Sequence, residues 1–359
     1  MLFRSDELKG WSELITCQRI HETGNIENVP GTEWLVRWKA LRHLRTEQPT
    51  IDWSAESQAQ WHDRRAVASE ASGDWLAALW HLDRLLERQP ADSQMLRRRG
   101  RVQLSLDQHG KALADLWAAT NLDPADEQAW SLRGAAELGA GHPDAAIADL
   151  TIAVELAPED WMALTNRGIA RGNKGANESA MVDLSEALRI FPTNLRALNA
   201  RAQLYQALGM GKKALADFEH IVENDPNLSD ANNNLAWLLA TSPDVSLRDP
   251  KRAVVLAKKA VELAPRNGDN WNTLGVAHYR TGDWKAAIEA LTNSMDRRNG
   301  GDGADWFFLA LAHWQLGDKP RASSWYDKAV GWMEKDQPKN EELVRFRAEA
   351  AALLGVKEK

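Results

Sequence analysis

The chain has 359 residues, a formal net charge of −7 and a sequence pI of about 5.8. This acidic balance leaves no excess of cations to release counterions from a nucleic-acid backbone, so we do not expect nucleic acid as a main partner. Cys17 is the single cysteine, which excludes a disulfide framework and a cysteine-rich zinc site within one chain.

The start of the chain, MLFRSDELKGW, lacks the apolar core of a signal peptide. No apolar run reaches the roughly 18 residues of a membrane span. The single cysteine also fits a reducing compartment. Together these features predict a cytoplasmic protein with no membrane partner.

Residues 1–55 lack a periodic pattern and predict an N-terminal helical segment or linker, with two short helices around the turn sequence HETGNIENVPGT. The second pattern covers residues 33–44 and places Trp34, Leu35, Trp38, Leu41 and Leu44 largely on one face. A helix with such an apolar face needs a partner. Two interpretations stay open: the segment covers the end of the array that follows, or it remains from an upstream domain.

From residue 56 onward the sequence repeats with a period of 34 residues. Prolines close successive units at Pro90, Pro124, Pro158, Pro192 and Pro226. Within a unit, position 8 holds glycine or alanine, position 20 holds alanine, and position 24 holds leucine or phenylalanine. Small residues let two helices approach closely, and the apolar spacing is that of a helix rather than a strand.

The period, the small residue at position 8, the alanine at position 20 and the closing proline resemble the tetratricopeptide repeat, a helix-turn-helix unit. The resemblance implies an all-α, right-handed superhelical solenoid of about eight units over residues 56–338.

A second resemblance concerns the segments GWSELITC and WHDRRAVASEASGDWLAALWHLDRLL. They resemble the junction in large planctomycete-type bacterial proteins, in which a protein-kinase domain or a β-propeller precedes a tetratricopeptide tail. This resemblance implies a bacterial protein and a chain that is the separated C-terminal part of a larger one. No kinase or propeller signature occurs in the sequence.

Repeats two to five also share a pattern of opposite charges, with arginine at position 7 and aspartate at position 23. These positions should face each other, within a unit or across to the next one. The predicted pairs are Arg99 with Asp115, Arg133 with Asp149, Arg167 with Asp183, and Arg201 with Asp217. Because each arginine has a matching aspartate, we interpret them as a structural ion-pair ladder that fixes helix register, rather than as charges for a ligand.

Repeat six departs from the period, since Pro226 and Pro265 are 39 residues apart. The excess lies in TSPDVSLRDP and predicts a longer turn between the two helices. The first helix carries the run 232–234 of three asparagines, although asparagine is a poor helix former. Either these asparagines cap and bridge neighbouring helices, or Asn233 and Trp237 line a groove and hold a peptide backbone.

Repeats seven and eight lose the ladder and the closing prolines, and apolar contacts are expected to replace the ladder. The sequence GGDG at residues 300–303 predicts a flexible joint. Segment 339–359 contains a last helix, residues 341–354, with an apolar face formed by Leu343, Phe346, Ala350 and Leu353. Because a solenoid needs a polar-backed terminal element, this helix is predicted to cap the array.

No catalytic or metal-binding motif stands out. The nine histidines are scattered, and the HExxH, phosphate-binding and GxSxG patterns are missing. His278 and His313 share position 11 of consecutive repeats, where packing is favoured over a metal pair. Many of the 17 tryptophans recur at repeat positions, as at position 4, and are interpreted as packing residues. We therefore expect a protein that is not an enzyme and that needs no cofactor or metal.

In the family that this sequence resembles, positions 2, 5, 9 and 12 of the first helices point into a concave groove. Carried over to this chain, the resemblance implies a peptide-binding groove of Arg97, Arg101, Arg196, Asn199, Gln203, Asn233, Trp237, Asn272 and Tyr279. Such a groove suits an extended peptide with an acidic group and an apolar anchor. The lysine and asparagine pattern of chaperone-binding members is incomplete here, so a chaperone tail is not predicted.

The favoured function is a non-catalytic scaffold that binds a peptide or protein segment in this groove, as the interaction arm of a signalling assembly. One alternative is a self-association module, in which the apolar end around Trp314, Trp325 and Trp332 packs on another copy. The other is a substrate-selecting tail separated from an upstream kinase or β-propeller. Whether residues 1–55 fill the groove stays open at this point.

Overall fold

The computed structural model describes residues 18–20, 26–28, 36, 39 and 55–356. The chain divides into two compact units, the first ending at Arg88 and the second beginning at Gln89.

Two short strands in the first unit correct the prediction of a first helix followed by a turn, whereas the two described residues of the second predicted helix are helical. Strand β1 (Gln18–Ile20) pairs antiparallel with β2 (Ile26–Asn28), and β2 lies inside the predicted turn sequence. Each strand has a β-branched isoleucine, and the sequence between them contains Gly24 and Asn25, which favour turns. Val36 and Lys39 are helical and exposed. Cys17 and the five residues of the predicted apolar face, Trp34, Leu35, Trp38, Leu41 and Leu44, lie outside the described residues.

The first unit also contains the helix pair of repeat 1, α1 (Ala55–Ser72) and α2 (Trp75–Leu86). Gly73 joins the two helices with a φ of +75°, a conformation that favours glycine. The Asp74 carboxylate caps α2 by accepting the backbone N–H of Ala77 at 3.1 Å.

In the second unit, residues 89–356 form the helix pairs of repeats 2 to 8 and a last helix. The helices are α3 (Ser93–Ser105), α4 (His109–Leu122), α5 (Glu127–Gly139), α6 (Pro143–Leu156), α7 (Trp161–Asn173), α8 (Asn177–Ile190), α9 (Leu195–Ala207), α10 (Gly211–Asn224), α11 (Ser229–Thr241), α12 (Pro250–Leu263), α13 (Gly268–Thr281), α14 (Trp284–Arg297), α15 (Gly303–Gln315), α16 (Lys319–Asp336) and α17 (Glu341–Leu354).

Within the second unit, the helices form two layers. Each first helix packs against the second helix of its own repeat, and each second helix packs against the next first helix. First helices also contact one another in succession, from repeat 2 to 5 and from repeat 6 to 8. The prediction of an all-α solenoid of helix-turn-helix units with a last helix at residues 341–354 is confirmed. No helix among the described residues is long and apolar enough to cross a membrane.

Close approach of the two helices explains the small residue at position 8. A Cβ added to Gly134 would lie 2.4 Å from Cγ of Leu150, and one added to Gly275 would lie 2.6 Å from Cγ of Leu291. Any larger side chain would therefore push the second helix away from the first. The same contact in repeats 3 and 7 shows that the regular and the irregular repeats share one packing rule.

The longer turn predicted in repeat six is present between α11 and α12. It contains a single turn of 3-10 helix, Val245–Leu247. Nε of Arg248 donates to the carbonyl oxygen of Ser242 at 2.7 Å, and the Asp249 carboxylate accepts the backbone N–H of Arg252 at 3.0 Å. The turn is thus held by its own hydrogen bonds.

Residues 300–303 form a capped helix start rather than the flexible joint expected from GGDG. The Asp302 carboxylate accepts the backbone N–H of Asp305 at 3.3 Å, and the Asp305 carboxylate accepts that of Asp302 at 3.1 Å. This reciprocal capping box fixes the start of α15, and Gly303 is buried. The prediction was wrong because it considered only the glycines and not the capping box that Asp302 and Asp305 can form at a spacing of three residues.

Candidate peptide-binding groove

Positions 2, 5, 9 and 12 of the first helices are called the groove face below. Repeats 2 to 5 are called the open section. Six side chains of the groove face are exposed there: Gln94, Arg101, Gln128, Met162, Arg196 and Gln203. In repeats 7 and 8 the corresponding positions are mostly buried, namely Asn272, Val276, Ala304, Phe307 and Leu311. Repeats 6 to 8 together with α17 are called the closed section.

Helix α17 covers the closed section by packing on α15 and α16. Its Phe346 is only 2 % exposed, with its ring centroid 4.9 Å from that of Phe308 and 6.1 Å from that of Trp237. Both ring pairs meet edge to face, at 70° and 81°, which is a favourable aromatic geometry. One side chain of α17 therefore reaches both repeat 8 and repeat 6.

Polar contacts join α17 to the end of α11. The indole Nε1 of Trp237 donates to Oε1 of Glu342 at 3.1 Å, and Nη1 of Arg345 donates to the carbonyl oxygen of Thr241 at 3.1 Å. Burial raises the pKa of Glu342, although Arg345 opposes this shift. Trp237, which the sequence predicts as a peptide anchor, thus contacts the chain's own last helix.

Repeat 7 makes a second set of contacts with α17. The Arg280 guanidinium donates to both carboxylate oxygens of Glu349, one of them at 2.7 Å. Next to it, Tyr279 is half-buried with its ring centroid 5.5 Å from that of Phe308, and burial raises the pKa of its phenol. Tyr279, also a predicted peptide contact, therefore belongs to the packing of the closed section.

Position 5 of the groove face joins successive repeats. The contacts, 29 to 35 residues apart in sequence, are Arg97 Nη1 to Asp126 Oδ1 (2.8 Å), Asn194 Nδ2 to Thr165 Oγ1 (2.9 Å), Asn234 Nδ2 to Asn199 Oδ1 (2.9 Å) and Asn272 Nδ2 to Asp305 Oδ1 (2.6 Å). Arg97, Asn199 and Asn272 were predicted to bind a peptide. The structure instead gives them partners at the start of the next repeat. Complementary polar residues about one period apart are the sequence signal that would have found these contacts.

The asparagine run of repeat six has a structural explanation at Asn232. This residue stands at position 4 and donates through Nδ2 to the carbonyl oxygen of Pro226 at 3.0 Å. Trp130, Trp271 and Trp306 share position 4 and donate through Nε1 to the carbonyl oxygen six residues earlier, at 2.9, 2.9 and 3.0 Å. Asn232 therefore makes the contact that tryptophan makes elsewhere. The interpretation of these tryptophans as packing residues agrees with this geometry.

Models of the tetratricopeptide repeat match residues 131–194 and 244–304, and also residues 195–228 and 306–336. Together these matches cover slightly more than half of the chain. The chain belongs to the tetratricopeptide repeat family. Such repeats generally mediate protein–protein interactions.

Three solved structures are similar to this chain, two of them with a TM-score of 0.50 or higher. The APC/C hetero-tetramer Cut9–Hcn1 is 14 % identical with a TM-score of 0.59, over 88 % of this chain and 59 % of that one. A tetratricopeptide repeat protein from Parabacteroides merdae is 18 % identical with a TM-score of 0.50, over 71 % of this chain and 98 % of that one. The protein TTC0263 from Thermus thermophilus is 25 % identical with a TM-score of 0.43, over 50 % and 98 %. A search of curated protein sequences found no match.

Within the tetratricopeptide array, the arginine at position 7 pairs with the aspartate at position 23 of its own unit in repeats 2 to 5. The Nε and Nη2 distances to the two carboxylate oxygens are 2.7 and 2.7 Å for Arg99–Asp115, 2.6 and 2.5 Å for Arg133–Asp149, 3.0 and 2.8 Å for Arg167–Asp183, and 2.9 and 2.8 Å for Arg201–Asp217. All four aspartates are buried. Each carboxylate thus has a bidentate partner where water is scarce.

Ion pairs also occur in tetratricopeptide repeats 7 and 8, where the sequence predicted that apolar contacts replace them. Arg298 donates to Asp269 at 3.0 Å, to Asp302 at 2.8 Å, and to the fully buried Asp305. Because Arg298 lies between two repeats, the cluster joins the end of α14 to the start of α15. The sequence did not predict this cluster because none of its four residues falls on ladder position 7 or 23.

The paired histidines of tetratricopeptide repeats 7 and 8 lie near the caps of the following helices. Nδ1 of His278 is 3.8 Å from Oδ2 of Asp283, and Nδ1 of His313 is 3.5 Å from Oδ2 of Asp318. Burial lowers the pKa of both imidazoles. No group of three or more potential metal ligands occurs among the residues that the structure describes.

The charge of the open section is uneven. Helices α3, α7 and α9 contain arginines and no aspartate or glutamate, whereas the whole chain carries a net charge of −7. Arg101 and Arg196 are exposed on this surface, as is Gln203. Asn233 stands at the boundary with the closed section, and its Oδ1 is buried without a hydrogen-bond partner. The six exposed side chains of the groove face in the open section are therefore two arginines, three glutamines and one methionine.

Proposed function

We propose that this chain is a non-catalytic scaffold that binds an acidic segment of a partner protein on the groove face of repeats 2 to 5. The observation that carries the proposal is the absence of carboxylates from α3, α7 and α9 in an otherwise acidic chain. A surface with Arg101 and Arg196 exposed attracts carboxylates and forms charge-assisted hydrogen bonds with them.

Amide groups supply the second part of the proposed recognition. Gln203 is exposed two turns after Arg196 on α9, and its side chain can pair with both the N–H and the carbonyl groups of an extended backbone. Backbone pairing favours an extended segment over a helix, because a helix satisfies its own N–H groups.

The closed section does not support the same function. A ligand at Trp237 or Tyr279 would have to displace Phe346 and break the Glu349 ion pair. The predicted self-association surface also has less support, because Trp314, Trp325 and Trp332 are all half-buried.

A peptide-display selection tests the proposal. Phage carrying random 12-residue peptides are selected on the full chain and on a variant with Arg101→Glu and Arg196→Glu. We expect acidic peptides that bind the intact chain at least tenfold more tightly than the variant, with affinity that falls as salt rises.

The matched control carries the same change of charge on exposed lysines of the second helices, Lys251→Glu and Lys285→Glu. It should keep the binding of the intact chain. Equal loss in the control and the groove variant would mean that net charge alone governs binding, and would reject the proposed site.

A further inference from the structure

A cavity of about 1090 Å3 lies where the open section meets the closed section. One wall is the turn between the helices of repeat 5, residues 209–213. A second wall is the start of the long turn of repeat six, residues 242–244, and a third is the first turn of α17. The extra residues of repeat six, which break the 34-residue period, thus help to form the cavity.

The repeat 5 wall is basic. Lys212 and Lys213 are exposed, and neither forms an ion pair with any of the residues that the structure describes. Lys213 lies over the ring of Tyr205, with Nζ 5.4 Å from the ring centroid. Both lysines line the cavity, and the charge of Lys212 is one cause, after the hydrogen bonds to Ser246, of the lowered pKa of Asp244 on the second wall.

A buried hydroxyl lies on the second wall. Ser242 is 2 % exposed, lines the cavity, and its Oγ has no hydrogen-bond partner. A buried polar group without a partner costs free energy, so an incoming donor or acceptor would be bound favourably there. The nearby Asp244 carboxylate already accepts the N–H and the hydroxyl of Ser246, at 3.0 and 2.7 Å.

The cavity also has an apolar surface. Met210 on the repeat 5 wall and Val344 on α17 are 45 % and 46 % exposed, and Trp237 and Leu238 also line the cavity. Ligand sites in proteins commonly combine such a surface with a few well-placed polar groups.

Two glutamates of α17 also line the cavity, and they limit where an anion can bind. Glu342 is engaged, because it accepts from Trp237 and lies 3.5 Å from Arg345. Glu341 is exposed at the start of α17. A ligand carboxylate is therefore expected on the lysine wall, away from Glu341.

We propose that this cavity is a second binding site, for a short extended protein segment with an acidic residue next to an apolar one. The carboxylate binds Lys212 and Lys213, the backbone pairs with the Ser242 hydroxyl, and the apolar side chain lies between Met210 and Val344. The inference rests on the proposed function only in taking the ligand to be a protein segment. The residues that form the cavity site are distinct from Arg101 and Arg196 of the groove face.

The test uses the full chain and the random 12-residue phage library, with selected peptides then synthesised and measured by fluorescence anisotropy. We expect peptides with adjacent acidic and apolar residues whose affinity falls roughly tenfold with Lys212→Ala and Lys213→Ala together. The control, Lys251→Ala with Lys285→Ala, removes the same charge elsewhere and should leave the affinity unchanged.

Ser242→Ala gives an independent readout. Because the hydroxyl has no partner in the free protein, its removal should leave the melting temperature unchanged or slightly higher, yet weaken these peptides about threefold. A lower melting temperature with unchanged affinity would overturn the role given to Ser242.

The variants also separate the two proposals. Peptides that lose affinity only with Arg101→Glu and Arg196→Glu support the open section and overturn the cavity site. Peptides that lose affinity with the Lys212 and Lys213 changes support the cavity, whether or not the arginine variant also weakens them. Selection of basic peptides, or of none, overturns both.

Discussion

Repeats 2 to 5 and repeats 6 to 8 are built from the same type of helix pair, but their groove faces differ in exposure to solvent. The open section keeps the 34-residue period and has an arginine–aspartate pair inside each unit. The closed section departs from the period, and its groove face is covered by α17. The repeats that keep the 34-residue period therefore have an exposed groove face, and the repeats that depart from it have a groove face in contact with α17.

The difference follows from what each surface contacts. A first helix whose groove face meets water must be polar on that face, as with Arg196 and Gln203 on α9. In α15 every residue from Gly303 to His313 is buried, so apolar side chains are allowed all round. Aromatic residues in repeats 7 and 8, which at first suggest a ligand anchor, therefore indicate a partner within the chain.

The largest expected effect comes from Phe346→Ala. This substitution empties a buried ring site between Trp237 and Phe308, and we expect the closed section to lose about 3–5 kcal/mol of stability. Hydrogen exchange should rise first in α17, α15 and α11, while α3 to α8 stay protected.

Phe191→Ala is the matched control in the open section, since Phe191 is exposed and packs on Trp161 with ring centroids 5.0 Å apart. We expect it to cost less than about 1.5 kcal/mol. Equal costs for the two phenylalanines would mean that α17 does not depend on its aromatic contacts.

A smaller effect is expected from breaking one ladder pair in the open section. Arg167→Leu leaves the buried Asp183 with a single partner, Arg171 at 2.7 Å, and should cost about 3 kcal/mol. Adding Asp183→Leu should recover part of this loss, because the uncompensated carboxylate is then gone. Urea unfolding of the two single variants and the double variant measures the coupling between the residues.

If the double variant is as unstable as the sum of the single ones, the pair does not stabilise the repeat. Hydrogen exchange in α17 should not change in any of these variants. An increase there would show that the two sections are coupled more closely than their separate contacts indicate.

Much of this architecture was predictable because the residues that determine helix packing recur every 34 positions. The approach of Gly134 to Leu150, and the pairing of position 7 with position 23, depend on helices that one repeat contains. The helix at residues 341–354 was predictable from its own apolar face.

The sequence could not predict which residues contact each other across long separations in the chain. The spacing of Trp237 and Glu342 does not predict their contact. These residues are 105 positions apart in sequence, and only the folding of α17 onto α11 brings them together. Asn272 differs, because its partner Asp305 lies 33 residues further on, about one period away, where the sequence could have indicated the contact. The groove residues predicted by position therefore include exposed side chains, such as Gln203, and side chains bonded to another repeat, such as Asn272.

The smallest expected effect is a pH dependence of the closed section. Burial lowers the pKa of His278 and His313 below the ordinary 6.5, so the folded state favours the neutral rings. Their contribution to stability is fully present above pH 6.5 and is lost as pH falls from 6.5 through the lower folded-state pKa values. Hydrogen exchange of α13 and α15 should therefore rise between pH 7 and pH 5.5.

Two buried carboxyl groups of the closed section also make its stability depend on pH and must be separated from these histidines. Burial raises the pKa of Glu342 and of Asp305, so their protonation acts in the opposite direction and adds stability as pH falls. The informative comparison is thus the intact chain against a variant with His278→Gln and His313→Gln. We expect the variant to lose less protection in α13 and α15 on acidification, and identical pH profiles would show that the two histidines do not control the closed section.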